Sequence, residues 1–158
     1  MFEKKTIFLL GILLFVTHVG LFSQTIKISG APWNVNITPP ALAGENPINN
    51  IESLSDQISI NVHGDQDNNW QITVEKDATN WHSNLTLEVR RTGDGTGSGT
   101  ISGGTTYVTI PDSPTYVIFF VGNKNPNNIP CQYRLHSDDL CPEASYSTPV
   151  IYTITNAP

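Results

Sequence analysis

The residues best suited to chemistry in this chain fall into four sets. The densest group of oxygen ligands is Gly64-Asp65-Gln66-Asp67-Asn68-Asn69, where Asp65, Asp67 and Asn69 alternate as ligands do in a helix-flanked calcium loop. Trp70 stands where that loop needs glycine, and Lys76 where it needs its closing glutamate. Calcium is therefore the weaker reading, and a solvated turn whose Asp and Asn side chains bond to nearby backbone is the stronger one. Cys131 and Cys141 form the second set. Ten residues apart, they fit no common zinc spacing and no C-x-x-C motif, although a thiolate site completed by His136 is the alternative to a disulfide. The bridge is expected, tying the end of one strand to the loop before the last.

The third set is His63, His82 and His136, which lie in separate segments with no two at ligand spacing. No Gly-x-Ser-x-Gly elbow exists, so nothing in the order of residues assembles a nucleophile with its base. No catalytic residue and no cofactor is expected, and the chain reads as a non-enzyme. The fourth set is aromatic: Trp33, Trp70 and Trp81 with Tyr107, Tyr116, Tyr133, Tyr146 and Tyr152 could offer a platform for sugar rings. Trp70 falls in phase with Ile72 and Val74 and reads as core. Trp81 sits in Asn80-Trp81-His82-Ser83-Asn84, polar on both sides, and reads as a loop tryptophan. Asn80, Trp81, His82 and Asn84 are thus the candidate ligand contacts, with a sugar ring as the natural partner for a tryptophan flanked by amides.

The elements that must position these residues are short strands. Apolar and polar residues alternate in 25–29, 33–37, 57–62, 70–74, 85–90, 107–110, 132–135 and 150–154, and no window sustains helical spacing. Residues 115–121 are instead apolar almost throughout, as in a strand covered on both sides or crossing the core. Residues 39–50, with three prolines, read as an irregular connection. The run 93–104 has six glycines in twelve residues but lacks the Gly-Lys-Ser/Thr ending of a phosphate loop, so it reads as a mobile hairpin tip. Some nine or ten short strands with no helical interlude predict an all-β sandwich, with a closed barrel as the rival.

Lys4 and Lys5, the apolar stretch that follows and the small Ser23 have the pattern of a secretory signal peptide over residues 1–23, leaving a single domain over 24–158. His18 and Gly20 interrupt the apolar stretch, and no positive cluster follows it, against a retained anchor. Losing Glu3, Lys4 and Lys5 takes the chain from 8 basic and 14 acidic residues to 6 and 13, a net charge of −7. That charge argues against nucleic acid and against anionic membranes as partners. The location expected is secreted, periplasmic or at the cell surface.

The segment Asp67-Asn68-Asn69-Trp70-Gln71-Ile72-Thr73-Val74, then Gly122-Asn123-Lys124-Asn125, then the closing run from Tyr146 through Pro149 to Thr155, resemble the fimbrial-subunit-like and spore-coat-U-like domains of bacterial surface proteins. The resemblance implies an immunoglobulin-like antiparallel sandwich, no catalysis, and a structural or adhesive surface role. Such subunits exchange strands with copies of themselves or with other surface proteins. The segment 25–29, through Ile26 and Ile28, is the implied self-association strand, against the simpler expectation that it pairs within its own domain. A small extracellular glycan-binding module is the alternative function.

Overall fold

The computed structural model describes residues 24–35, 48–64, 68–137, 141 and 145–158. The signal segment 1–23, most of the proline-rich connection, and Asp65 and Asp67 lie outside the described residues.

Alternating segments bury one face and solvate the other, and antiparallel pairing satisfies their backbone groups. One sheet runs in the order β1 (Thr25–Gly30), β3 (Ile58–His63), β11 (Ile129–Ser137), β5 (Leu85–Arg91), β8 (Val108–Thr109), with β2 (Ile51–Glu52) also paired to β11. The other runs β12 (Val150–Asn156), β4 (Asn69–Lys76), β9 (Val117–Asn123), β7 (Ile101–Ser102). A ribbon of β6 (Thr96–Gly97) and β10 (Pro126–Asn127) completes the set. Every pairing between these strands is antiparallel.

The two sheets share one core. Ile58, Ile60, Val62, Leu87, Val89, Cys131 and Tyr133 come from the first, and Trp70, Ile72, Val74, Phe119 and Phe120 from the second. The apolar run in β9 is not covered on both sides. The register shifts opposite Ile72 and Thr73, so Phe119 and Phe120 both turn inward while Ile118 stays 51% exposed. A bulge, which places two residues against one, accounts for the continuous pattern. Among the described residues, no helix is long and apolar enough to cross a membrane.

The expected disulfide is absent: Cys131 and Cys141 are not joined. The sequence pattern started this strand at Gln132, which would leave Cys131 at its end. The strand instead begins at Ile129 and carries the chain through six more residues to Ser137, roughly 20 Å beyond Cys131. Cys131 points into the core with no exposed surface, and its thiol donates to the Ile129 carbonyl at 3.8 Å. Burial pushes that thiol up to about 12, far from the thiolate that disulfide or metal chemistry needs. Its role is packing.

The glycine-rich run also departs from expectation, because it is laid against the chain rather than free. β6 pairs with β10, and the Asn123 side-chain carbonyl accepts the Thr100 N–H at 2.9 Å. Gly95, Gly97 and Gly99, all at positive φ, pass so close to residues 123–127 that a side chain on any of them would meet a carbonyl oxygen of Asn127, Asn125 or Asn123. Only glycine allows both that backbone conformation and that approach.

Candidate functional site

The ends of the molecule differ in how completely they are filled. At the end where β4 begins, the Trp70 ring has no exposed surface and its indole N–H donates to the Lys124 carbonyl at 3.0 Å. At the other end, where β4 gives way to residues 77–84, a cavity of about 1120 Å³ separates the sheets.

Its floor is apolar, with Ile58, Leu85, Leu87 and Leu135 from the first sheet and Val150 from the second. Aromatic rings form its walls. Trp33 stacks on Tyr133 with centroids 6.1 Å apart and planes 12° from parallel. The Tyr133 and Tyr152 hydroxyls meet across the sheets at 3.0 Å. Burial pushes Tyr133 up to about 12 and Tyr152 well above its ordinary value, so both hydroxyls stay protonated donors. Trp81 and Tyr146 complete the wall on the loop side, and Asn34, Ser145, Ser147 and Thr148 bring amide and hydroxyl groups to it. None of the described lining residues is charged.

Trp81 is half-buried against the core and held by its own loop. Its backbone N–H donates to the Ala78 carbonyl at 3.2 Å, and its indole N–H to the Leu85 carbonyl at 2.8 Å. Asp77 nucleates the turn by accepting from the Thr79 backbone and hydroxyl, which holds its carboxyl below the usual range. The loop is then sewn to the segment before β12. Asn80 donates through its amide to the Ser147 hydroxyl at 3.0 Å, and Thr148 donates to the Asp77 carbonyl at 2.6 Å. His82 accepts the Asn84 N–H through Nδ1 at 3.1 Å and sets its ring edge-on to Tyr146, 5.6 Å away.

Of the four loop residues expected to touch a ligand, therefore, only Trp81 lines the cavity. Asn80, His82 and Asn84 spend polar atoms on the loop itself. Trp33, Tyr133, Tyr146 and Tyr152 belong to the wider aromatic set that could offer a platform for sugar rings, but nothing in the sequence separates them from core aromatics. Asn69, the described member of the calcium set, is the exposed first residue of β4. Among the described residues, no group of three or more His, Cys, Asp and Glu could hold a metal ion.

The outer face of the first sheet carries the other dense polar cluster. Arg90 and Arg134 lie over the Tyr107 ring at 4.6 and 3.9 Å. Glu88, 7% exposed, accepts from Arg134 at 2.5 Å, and the Gln132 carbonyl accepts twice from Arg90. With both cations answered inside the cluster, it is a buttress for β2 and β8 rather than a site.

No family model, no curated protein and no solved structure matches this chain.

Proposed function

We propose that the protein is a secreted, non-enzymatic structural or adhesive surface component, an immunoglobulin-like sandwich that associates with copies of itself by strand addition. The supporting observation is the open edge of β12. The order β1-β3-β11-β5 is that of the A, B, E and D strands of an immunoglobulin sheet, and β4 beside β12 corresponds to C beside F. In that arrangement a seventh strand covers F, whereas among the described residues none lies on the outer edge of β12. Unpaired N–H and C=O groups along such an edge are a template for another chain.

β1 is the segment we assign as donor. In this structure it pairs within its own domain, in register with β3 from Thr25 opposite His63 to Gly30 opposite Ile58. It is nonetheless held on one side only, Ile28 is 40% exposed, and Ile26 alone of its residues packs on the core. Light scattering across the size-exclusion peak of the natively exported protein, with its N-terminus sequenced, tests the reading. Oligomers are expected that disappear on deleting residues 25–29 and, with the fold retained, in Ile28→Lys. A strictly monomeric peak from the unmodified protein overturns it.

A further inference from the structure

We infer that the cavity at the Trp81 end is a binding site for a neutral saccharide, stacked on Trp81 and Trp33 and hydrogen-bonded at its rim. This goes beyond strand-mediated assembly: it stands on the cavity as this structure holds it, with β1 paired within its own domain and Ile28 and Gly30 in the lining.

Three observations select the ligand class. The first is charge. No described residue lining the cavity is charged, and the chain carries a net charge of −6, so no described group compensates the cost of bringing in a phosphate, sulfate or uronate. The second is the mixture of surfaces. Broad aromatic faces stand beside Asn34, Ser145 and Ser147, matching a ligand with apolar ring faces and hydroxylated edges. A purely aliphatic ligand would make no use of these polar groups. The third is rigidity. The Trp81 indole is locked by its N–H bond to Leu85, and the Trp33 ring is laid flat on Tyr133. Both faces are set before any ligand arrives, so little side-chain freedom is lost on binding.

The volume, about 1120 Å³, lies just above the roughly 300–1,000 Å³ common for small-ligand sites and admits more than one sugar ring. Ser147 accepts from Asn80 and retains its own O–H, while Asn34 and Ser145 are exposed at the mouth.

The test is a titration of the full secreted protein with neutral gluco-, manno- and xylo-oligosaccharides, read by tryptophan fluorescence and calorimetry. Two controls run beside it, an oligogalacturonate and a medium-chain alcohol. At least one neutral oligosaccharide is expected to bind with a Kd on the order of 0.1–1 mM. Trp81→Ala should weaken it about tenfold or more, and Trp81→Phe, which keeps an aromatic face, by only about threefold. If Trp81→Ala does not fold, Trp33→Ala replaces it with the same expected loss. Absence of binding by every neutral oligosaccharide overturns the inference, as does equal binding of the oligogalacturonate or preference for the alcohol. Oligomeric state, followed by scattering on the same samples, reports on the assembly reading separately.

Discussion

Trp70 and Trp81 stand near opposite ends of the same strand, and the chain treats them in opposite ways. Around Trp70 the backbone closes in: a side chain on Gly122 or Gly64 would come within 2.5 Å of the indole. Trp81 packs on the core only in part, and a hydrogen bond to its own loop holds the ring at the wall of a cavity. Both indole N–H groups donate to a backbone carbonyl, so the difference lies in what covers the ring faces. One tryptophan spends its surface on stability, and the other keeps part of it for something else.

The contrast is sharpened first by truncation. Trp70→Ala should cost about 4 kcal/mol, from a fully buried ring whose rigid surroundings cannot collapse into the space. Trp81→Ala should cost roughly 1–2 kcal/mol, because the ring is only partly buried and borders a cavity. Urea unfolding of the two variants measures both; equal losses would erase the distinction.

Two buried groups on β11, Cys131 and Tyr133, add a dependence on pH. The Cys131 thiol is raised from 9.0 to about 12 and the Tyr133 hydroxyl from 10.0 to about 12, both by burial. The folded state holds each proton more tightly, so their contribution is fully present below the unfolded values and is lost as pH rises through them. Stability should fall from near pH 9, by on the order of 3 kcal/mol for each group by pH 12. Cys131→Ala should move the onset toward pH 10, where Tyr133, at the cavity, takes over. An onset that ignores this substitution would place the alkaline transition elsewhere. The last expectation is of no change at all: a thiol reductant should leave the midpoint of thermal unfolding where it was, since no bridge joins Cys131 to Cys141. A lowered midpoint would contradict the packing role of Cys131.

The strands of the core were legible because their alternation is a direct image of one wet and one dry face. Ile58, Ile60 and Val62, then Trp70, Ile72 and Val74, then Leu85, Leu87 and Val89 are buried as their spacing predicts. Whatever depended on a second segment was hidden. Nothing near Asn127 in the sequence announces that Thr96 will pair with it, and nothing near Ile129 says that a strand will start ahead of Pro130. The cavity was half legible. Trp81 stood out through its polar neighbours, yet those neighbours proved to be the scaffold, and Trp33 and Tyr133 become a wall only because a loop folds back over a strand. The disulfide failed for the same reason, since sequence separation carries no information about which way a side chain faces.

The row of Gly95, Gly97 and Gly99 has a consequence for how this chain can change over time. Each residue between them, Thr96 and Ser98, is exposed, while each glycine is fixed by the carbonyls it passes. Tolerance to substitution should therefore alternate along the segment with a period of two. Loss or gain of a single residue there would set side chains against the asparagine turn in place of glycines. The two segments are matched rung by rung, Gly95 to Asn127, Gly97 to Asn125 and Gly99 to Asn123, so a change of length in one calls for a matching change in the other.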